Sequence, residues 1–259
     1  MHVHSTSLFF ASCLYIIHPK VKIFWHNHTG ANVNLKGLKL LIIKTLTLCF
    51  ANGIINVNED LCSWSKKVLK HKNCIKLNNF PLFSDLEKKT VLKGAFNKRI
   101  VCLAALRQEK DHLNLLEAFK IINYKYPLWS IHLVGKDYKN NYSNAIKKFV
   151  KENNLKESVF LYGMCSDIKN ILEQSTIGVL SSKNEGLPIS LLEYGLVKLP
   201  VLVTDVGECR KTVFNKNAVV PSEKSDLFAK YLLKIIENKN LREEISLNLH
   251  HNIITNFSK

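Results

Sequence analysis

Arginine is scarce in this chain. Only Arg99, Arg107, Arg210 and Arg242 accompany the lysines among 37 basic residues. Readers of base edges and phosphates lean on the planar, bidentate guanidinium. The scarcity therefore argues against a nucleic-acid partner, despite a formal net charge of +16. Paired cysteines are missing as well. Cys13, Cys49, Cys62, Cys74, Cys102, Cys165 and Cys209 are odd in number and nowhere spaced C-x-x-C. That pattern argues against a disulfide framework or a zinc site, and for reduced thiols in a cytoplasmic setting. The apolar stretch from Ser7 to Ile17 has no basic lead, ends at His18-Pro19-Lys20 and is too short to span a bilayer. It reads as a buried helix. No Pro-, Gly- and Ser-rich linker interrupts the chain.

What is present supports a packed core. The 259 residues are 46% hydrophobic and 22% charged, which suits one large or two ordinary domains. Charge is uneven: residues 1–99 hold 15 Lys and Arg against 4 Asp and Glu, a net of +11. An anionic membrane surface is one reading of that basic part, and a lysine-rich solvated surface is the other.

From about residue 100 onward, apolar runs alternate with amphipathic stretches, the pattern of a parallel sheet wrapped by helices. Strands are expected at 100–104, 130–134, 159–162, 177–180, 201–204 and 218–220. Helices are expected at 113–126, 142–153, 168–174, 189–197, 225–237 and 241–255. This is a doubly wound α/β domain, complete in itself. Before it, strands at 21–25, 54–57 and 74–77 and helices at 7–17, 38–50 and 61–71 are too few for a second full domain of that kind. Residues 78–84 are the best hinge.

The most informative segment is Asn184-Glu-Gly-Leu-Pro-Ile-Ser-Leu-Leu-Glu193-Tyr-Gly. Gly186 permits a tight turn and Pro188 suits a first helical turn, where a missing N–H costs nothing. The free N–H groups of such a helix start attract phosphate. Carboxylates at its edges, Glu185 and Glu193, suit sugar hydroxyls instead. Diphosphate flanked by hydroxyls describes a nucleotide-sugar. Lys110, in Glu109-Lys-Asp-His112, follows the first strand of the complete domain, where α/β folds bind ligands and a cation would neutralise phosphate.

With Pro200-Val-Leu-Val-Thr-Asp-Val-Gly207, Leu103–Phe119, Ile131-His-Leu-Val-Gly135 and Val159-Phe-Leu-Tyr-Gly163, the Glu-x7-Glu segment resembles the GT-B glycosyltransferases of family 4, over about residues 99 to 257. The resemblance implies two Rossmann-like domains facing a cleft: an incomplete acceptor-side domain at 1–83 and a nucleotide-sugar-binding domain at 84–259. Met1-His-Val-His-Ser then looks like a strand end from mid-domain, with roughly 80–100 residues expected before it.

The implied activity is retaining transfer from an NDP-sugar to a glycan or lipid-linked acceptor in surface polysaccharide assembly, in the cytoplasm at the inner membrane face. Lys110, Glu185 and His28 are the implied catalytic residues. Glu193 would hold the donor ribose. Gly186, Leu187, Pro188 and Ile189 would add backbone contacts. Gly135 and the base-proximal Met164 and Cys165 would complete the donor site, although Gly135 is equally a turn glycine.

His26-Asn-His28 reads as a possible metal pair without a third ligand nearby. Within the resemblance His28 is the acceptor-domain histidine. His2 and His4 read, on their own, as packing or capping residues. No metal or other cofactor is expected. Ala105 stands where the family commonly has arginine, which leaves a second reading: a non-catalytic, nucleotide-sugar-binding remnant.

Overall fold

The computed structural model describes residues 1–28, 30–83 and 87–257. Residues 84–86 lie outside that set, so the expected boundary at 83/84, the end of the hinge and the start of the lead-in to the second domain fall on residues not described. The chain divides into two compact units, Met1–Asn79 with Glu185–Leu187, and Phe80–Asn184 with Pro188–Lys259.

The first unit carries β1 (His2–His4), α1 (Ser7–Ile17), β2 (Ile23–Asn27), α2 (Gly37–Phe50), β3 (Ala51–Asn56), α3 (Glu59–Lys67) and β4 (Cys74–Lys76). Its four strands are parallel in the order β1-β2-β3-β4. Val3, Ile23, Trp25 and Ile54 fill one face of the sheet together with Leu8, Ala11 and Cys62. Two expectations need correction. α1 is only partly buried: Leu8, Ala11 and Ser12 are inside, whereas Phe10, Ile16 and Ile17 are more than 70% exposed. β2 begins at Ile23 rather than 21, because Val21 bonds back to His18 in a turn.

The second unit carries β5 (Arg99–Leu103), α4 (His112–Lys125), β6 (Ser130–Val134), α5 (Asn141–Glu152), β7 (Val159–Gly163), α6 (Ile168–Glu173), β8 (Ile177–Leu180), α7 (Ile189–Leu196), β9 (Val201–Thr204), α8 (Cys209–Val213), β10 (Val219–Val220), α9 (Ser225–Glu237) and α10 (Lys239–Asn256). Its six parallel strands run β10-β9-β8-β5-β6-β7. Helices cover both faces, so β6, β8 and β9 are buried at every residue.

The order of strands reverses between β8 and β5, and the crevice beyond the carboxyl ends of such a pair is where open α/β sheets receive ligands. β5 and β8 pair only over Ile100↔Ile177 and Val101↔Gly178. Past those rungs Tyr194 of α7 fills the seam. Its hydroxyl accepts from Leu103 N–H at 2.8 Å and lies 3.4 and 3.3 Å from the carbonyls of Val101 and Val179.

Candidate functional site

The residues singled out in the sequence fall into two groups. In the second unit, Lys110 ends a short 3-10 turn, Gln108–Lys110, that follows β5. The loop after β8 binds this turn directly: Ser181 Oγ donates to the carbonyls of Lys110 at 2.9 Å and Asp111 at 3.0 Å, and Lys183 N–H donates to Glu109 O at 2.8 Å. The two loops at the point of strand reversal are therefore one hydrogen-bonded body. Asp111 adopts a left-handed conformation, φ 47°, before α4 starts. Burial raises its carboxyl above the ordinary range, and Lys183, 3.6 Å away, offsets this only in part. Lys183 also pairs with Glu223 at 2.7 Å. It is a second cation at the same strand ends, one the sequence reading passed over.

Gly135 follows β6 beside this turn with φ 155°. A Cβ there would lie 2.3 Å from Ala104 O, so no other residue fits. Its N–H donates to Gly163 O at 2.7 Å, which joins two glycines identified from sequence. Met164 beyond them is 81% exposed, while Cys165 is half-buried.

Pro188 caps α7 in extended conformation, φ −71° and ψ 124°, one residue before the helix rather than in its first turn. Ile189 opens the helix and Glu193 sits one turn in. Burial raises the Glu193 carboxyl above its ordinary value. Glu193 shares a cavity of about 380 Å3 with Ser166, Asp167, Lys169, Asn170 and Lys88. Asp167, which the sequence reading did not single out, organises this wall. Its carboxylate accepts from the N–H groups of Lys89 at 2.9 Å and Thr90 at 2.7 Å, from Thr90 Oγ1 at 2.7 Å and from Asn170 Nδ2 at 2.9 Å. Burial alone would raise its pKa, but these donors hold it well below the usual carboxylate range. Asp167 precedes a helix, where it reads as an ordinary N-cap. Nothing local announces a partner 77 residues away.

The other group lies in the first unit, which takes in Glu185–Leu187. Glu185, Gly186 and Leu187 are buried. A Cβ on Gly186 would stand 2.8 Å from His28 O and 3.2 Å from Val57 Cγ2, so glycine is required by close approach rather than by an unusual φ. Leu187 O accepts from Asn79 Nδ2 at 2.7 Å.

His28 follows β2 and is half-buried. Its pKa is lowered by burial and then by His4 and His2. That of His26 falls to about 4, through burial first and then the neighbouring imidazoles. The expectation of no third ligand near His26 and His28 is overturned here. β1 pairs in register with β2, His4 opposite His26, and brings His2 and His4 alongside. A register between strands separated by a whole helix leaves no trace in local spacing.

Two parallel sheets with helical crossovers and a ligand crevice at a strand-order reversal define an α/β fold matching that of GT-B glycosyltransferases. The solved Anabaena HepE in complex with UDP and glucose superposes with a TM-score of 0.83 over 99% of this chain and 74% of its own, at 16% identity. The chain belongs to the family described as glycosyl transferases group 1, whose model matches residues 84–250. Among curated relatives, a UDP-Gal:alpha-D-GlcNAc-diphosphoundecaprenol alpha-1,3-galactosyltransferase of Escherichia coli is 28% identical over 90% of this chain and 64% of its own length. An N,N'-diacetylbacillosaminyl-diphospho-undecaprenol alpha-1,3-N-acetylgalactosaminyltransferase of Campylobacter jejuni is 27% identical over 85% of this chain and 60% of its own. The chain thus spans less than two thirds of the length of these relatives. Among the described residues, no helix is long and apolar enough to cross a membrane.

Proposed function

We propose that this chain carries the donor-binding and acceptor-side units of a retaining family 4 glycosyltransferase. It moves a sugar from an NDP-sugar to a lipid-linked glycan acceptor in surface polysaccharide assembly. The observation that carries the reading is that Lys110 and the loop after β8 are hydrogen-bonded to each other at the strand reversal of the family-matched unit, and that β8 leads on to the helix bearing Glu193. Lys110 neutralises the donor diphosphate, and the N–H groups of Leu187 and Ile189 complete its charge balance. Glu193 accepts hydrogen bonds from the ribose hydroxyls in the cavity it shares with Asp167. Glu185 meets the transferred sugar, and His28 serves the acceptor side. Gly135 keeps the phosphate loop close, and Met164 and Cys165 flank the base. The leaving diphosphate takes the acceptor proton, and with its charge met by Lys110 and the N–H groups near Gly186 the reaction requires no metal. The basic first 99 residues and the lipid-linked acceptors named for the two relatives favour work at the inner membrane surface.

Calorimetric titration of the 259-residue chain with UDP and GDP tests the donor half of this reading. Glu193→Ala should weaken binding by about 1–3 kcal/mol, the scale of charge-assisted hydrogen bonds. Unchanged affinity in the folded variant removes Glu193 from the site. Ala105, in the place of the family's usual arginine, favours the second reading of a remnant that binds donor without transferring it. Product formation from NDP-sugars with a lipid-linked acceptor separates the two readings, and the anomeric configuration of any product reports retention.

A further inference from the structure

Four imidazoles gather at the carboxyl ends of β1 and β2. Alternate residues of a strand share a face. Val3, Ile23 and Trp25 enter the core, and the intervening His2, His4 and His26 stand on the opposite side. His2 Nε2 lies 3.2 Å from His26 Nδ1, and His4 Nδ1 lies 2.8 Å from His28 Nε2. One ligand atom from each of His2, His4 and His26 falls within 4.8 Å of the others. His26 is only 8% exposed, and its Nε2 has no hydrogen-bond partner among the described residues. Buried polar atoms are seldom left so, and each one asks for an explanation.

The spacing of the rings points to a shared ligand. Zinc binds imidazole nitrogen at 2.0–2.1 Å, so neighbouring nitrogens around a tetrahedral ion stand about 3.4 Å apart. The 3.2 Å between His2 Nε2 and His26 Nδ1 is close to that figure, and a ligand atom of His4 lies within 4.8 Å of both residues' ligand atoms. Imidazole donors suit Zn2+, Co2+, Ni2+ or Cu2+, whereas Mg2+ and Ca2+ require oxygen. We propose that His2, His4 and His26 form a binding site for a borderline divalent transition-metal ion, with His28 adjacent as a further donor. The three-histidine site uses neither Lys110 nor Glu193 and so stands apart from donor binding, while His28 is shared with the acceptor side.

The test is a titration of the full chain, free of any polyhistidine tag and with the exposed Cys13 and Cys49 replaced by serine, with Co2+ followed by displacement with Zn2+. One equivalent of Co2+ should give ligand-field absorption without a thiolate charge-transfer band, and Zn2+ should abolish it. His2→Ala and His4→Ala alter exposed side chains and should leave the fold intact by circular dichroism. Each should weaken Zn2+ by at least the roughly 10–100-fold that loss of a second-shell partner costs. His26→Ala should do the same, and His18→Ala should change nothing. Failure to bind Co2+ or Zn2+ overturns the proposal. So does absorption that persists in the His2→Ala/His4→Ala double variant, or a thiolate band showing that cysteine holds the ion.

Discussion

Replacing Asp167 with alanine should destabilise the second unit by several kcal/mol. The carboxylate accepts four hydrogen bonds, two of them from the backbone N–H groups of Lys89 and Thr90. In the variant the Thr90 hydroxyl and the Asn170 amide can turn to water, but the two N–H groups cannot. Hydrogen bonds to a charged partner contribute about 1.5–3 kcal/mol each, which sets the expected loss at about 3–6 kcal/mol. Asp167→Asn keeps one acceptor oxygen without the charge and should lose about half of that. Urea unfolding at pH 7 reads both, with the midpoint falling and the slope unchanged. The pH dependence has a definite sign. The folded carboxyl is depressed, so its contribution is fully present above the unfolded value of about 3.9 and is lost as pH falls toward the folded one. The gap between wild type and Asp167→Asn should therefore hold from pH 7 to about pH 4 and close below that. Because Asp167 and Lys88 line the cavity of Glu193, UDP affinity should fall with stability. A loss under about 0.5 kcal/mol, the range of inconsequential surface changes, would refute the account of these hydrogen bonds.

Three further outcomes are expected. His112 and His132 are buried with pKa values lowered by desolvation to about 4, so below pH 6.5 the unfolded chain takes up protons that the folded chain refuses. Each histidine should then cost up to about 3 kcal/mol of stability between pH 6.5 and 4, and His132→Gln should flatten the urea-midpoint profile; a profile that His132→Gln leaves unchanged would contradict this. Gly135→Ala meets Ala104 O at 2.3 Å and should destabilise by at least about 2–3 kcal/mol, whereas Gly163→Ala, with φ 69° and open space, should cost only about 1–2; equal melting points for the two would contradict the difference in crowding. Lys110→Ala should weaken UDP far more than uridine, because only the phosphates feel the charge, and equal losses would show that Lys110 acts through folding.

Much of the second unit was legible because strands covered on both faces are short, nearly unbroken apolar runs. β6, β8 and β9 have the bounds read from sequence. β10 lost its first residue because Asn215 accepts from Asn217 N–H and winds Lys216–Ala218 into a 3-10 turn. α8 escaped notice because five residues carry too little periodicity. In the first unit β2 lies inside the sheet, between β1 and β3. The glycines and carboxylates after Asn184 announce themselves through spacing. The imidazole cluster and the grip of Asp167 on Lys89 and Thr90 do not, since each depends on tertiary placement.

Tyr194 gives the strand reversal a further property. Its ring leaves so little room at Gly178 that an added Cβ would stand 2.8 Å from Tyr194 Cδ2, and its hydroxyl closes the gap where β5 and β8 part. A smaller residue at 194 would open a void and strand the Leu103 N–H, and a larger one at 178 would expel the ring. Neither position can drift alone. The two would have to be exchanged as a pair in any lineage of this chain, with Glu193 carried along on the same turn of helix.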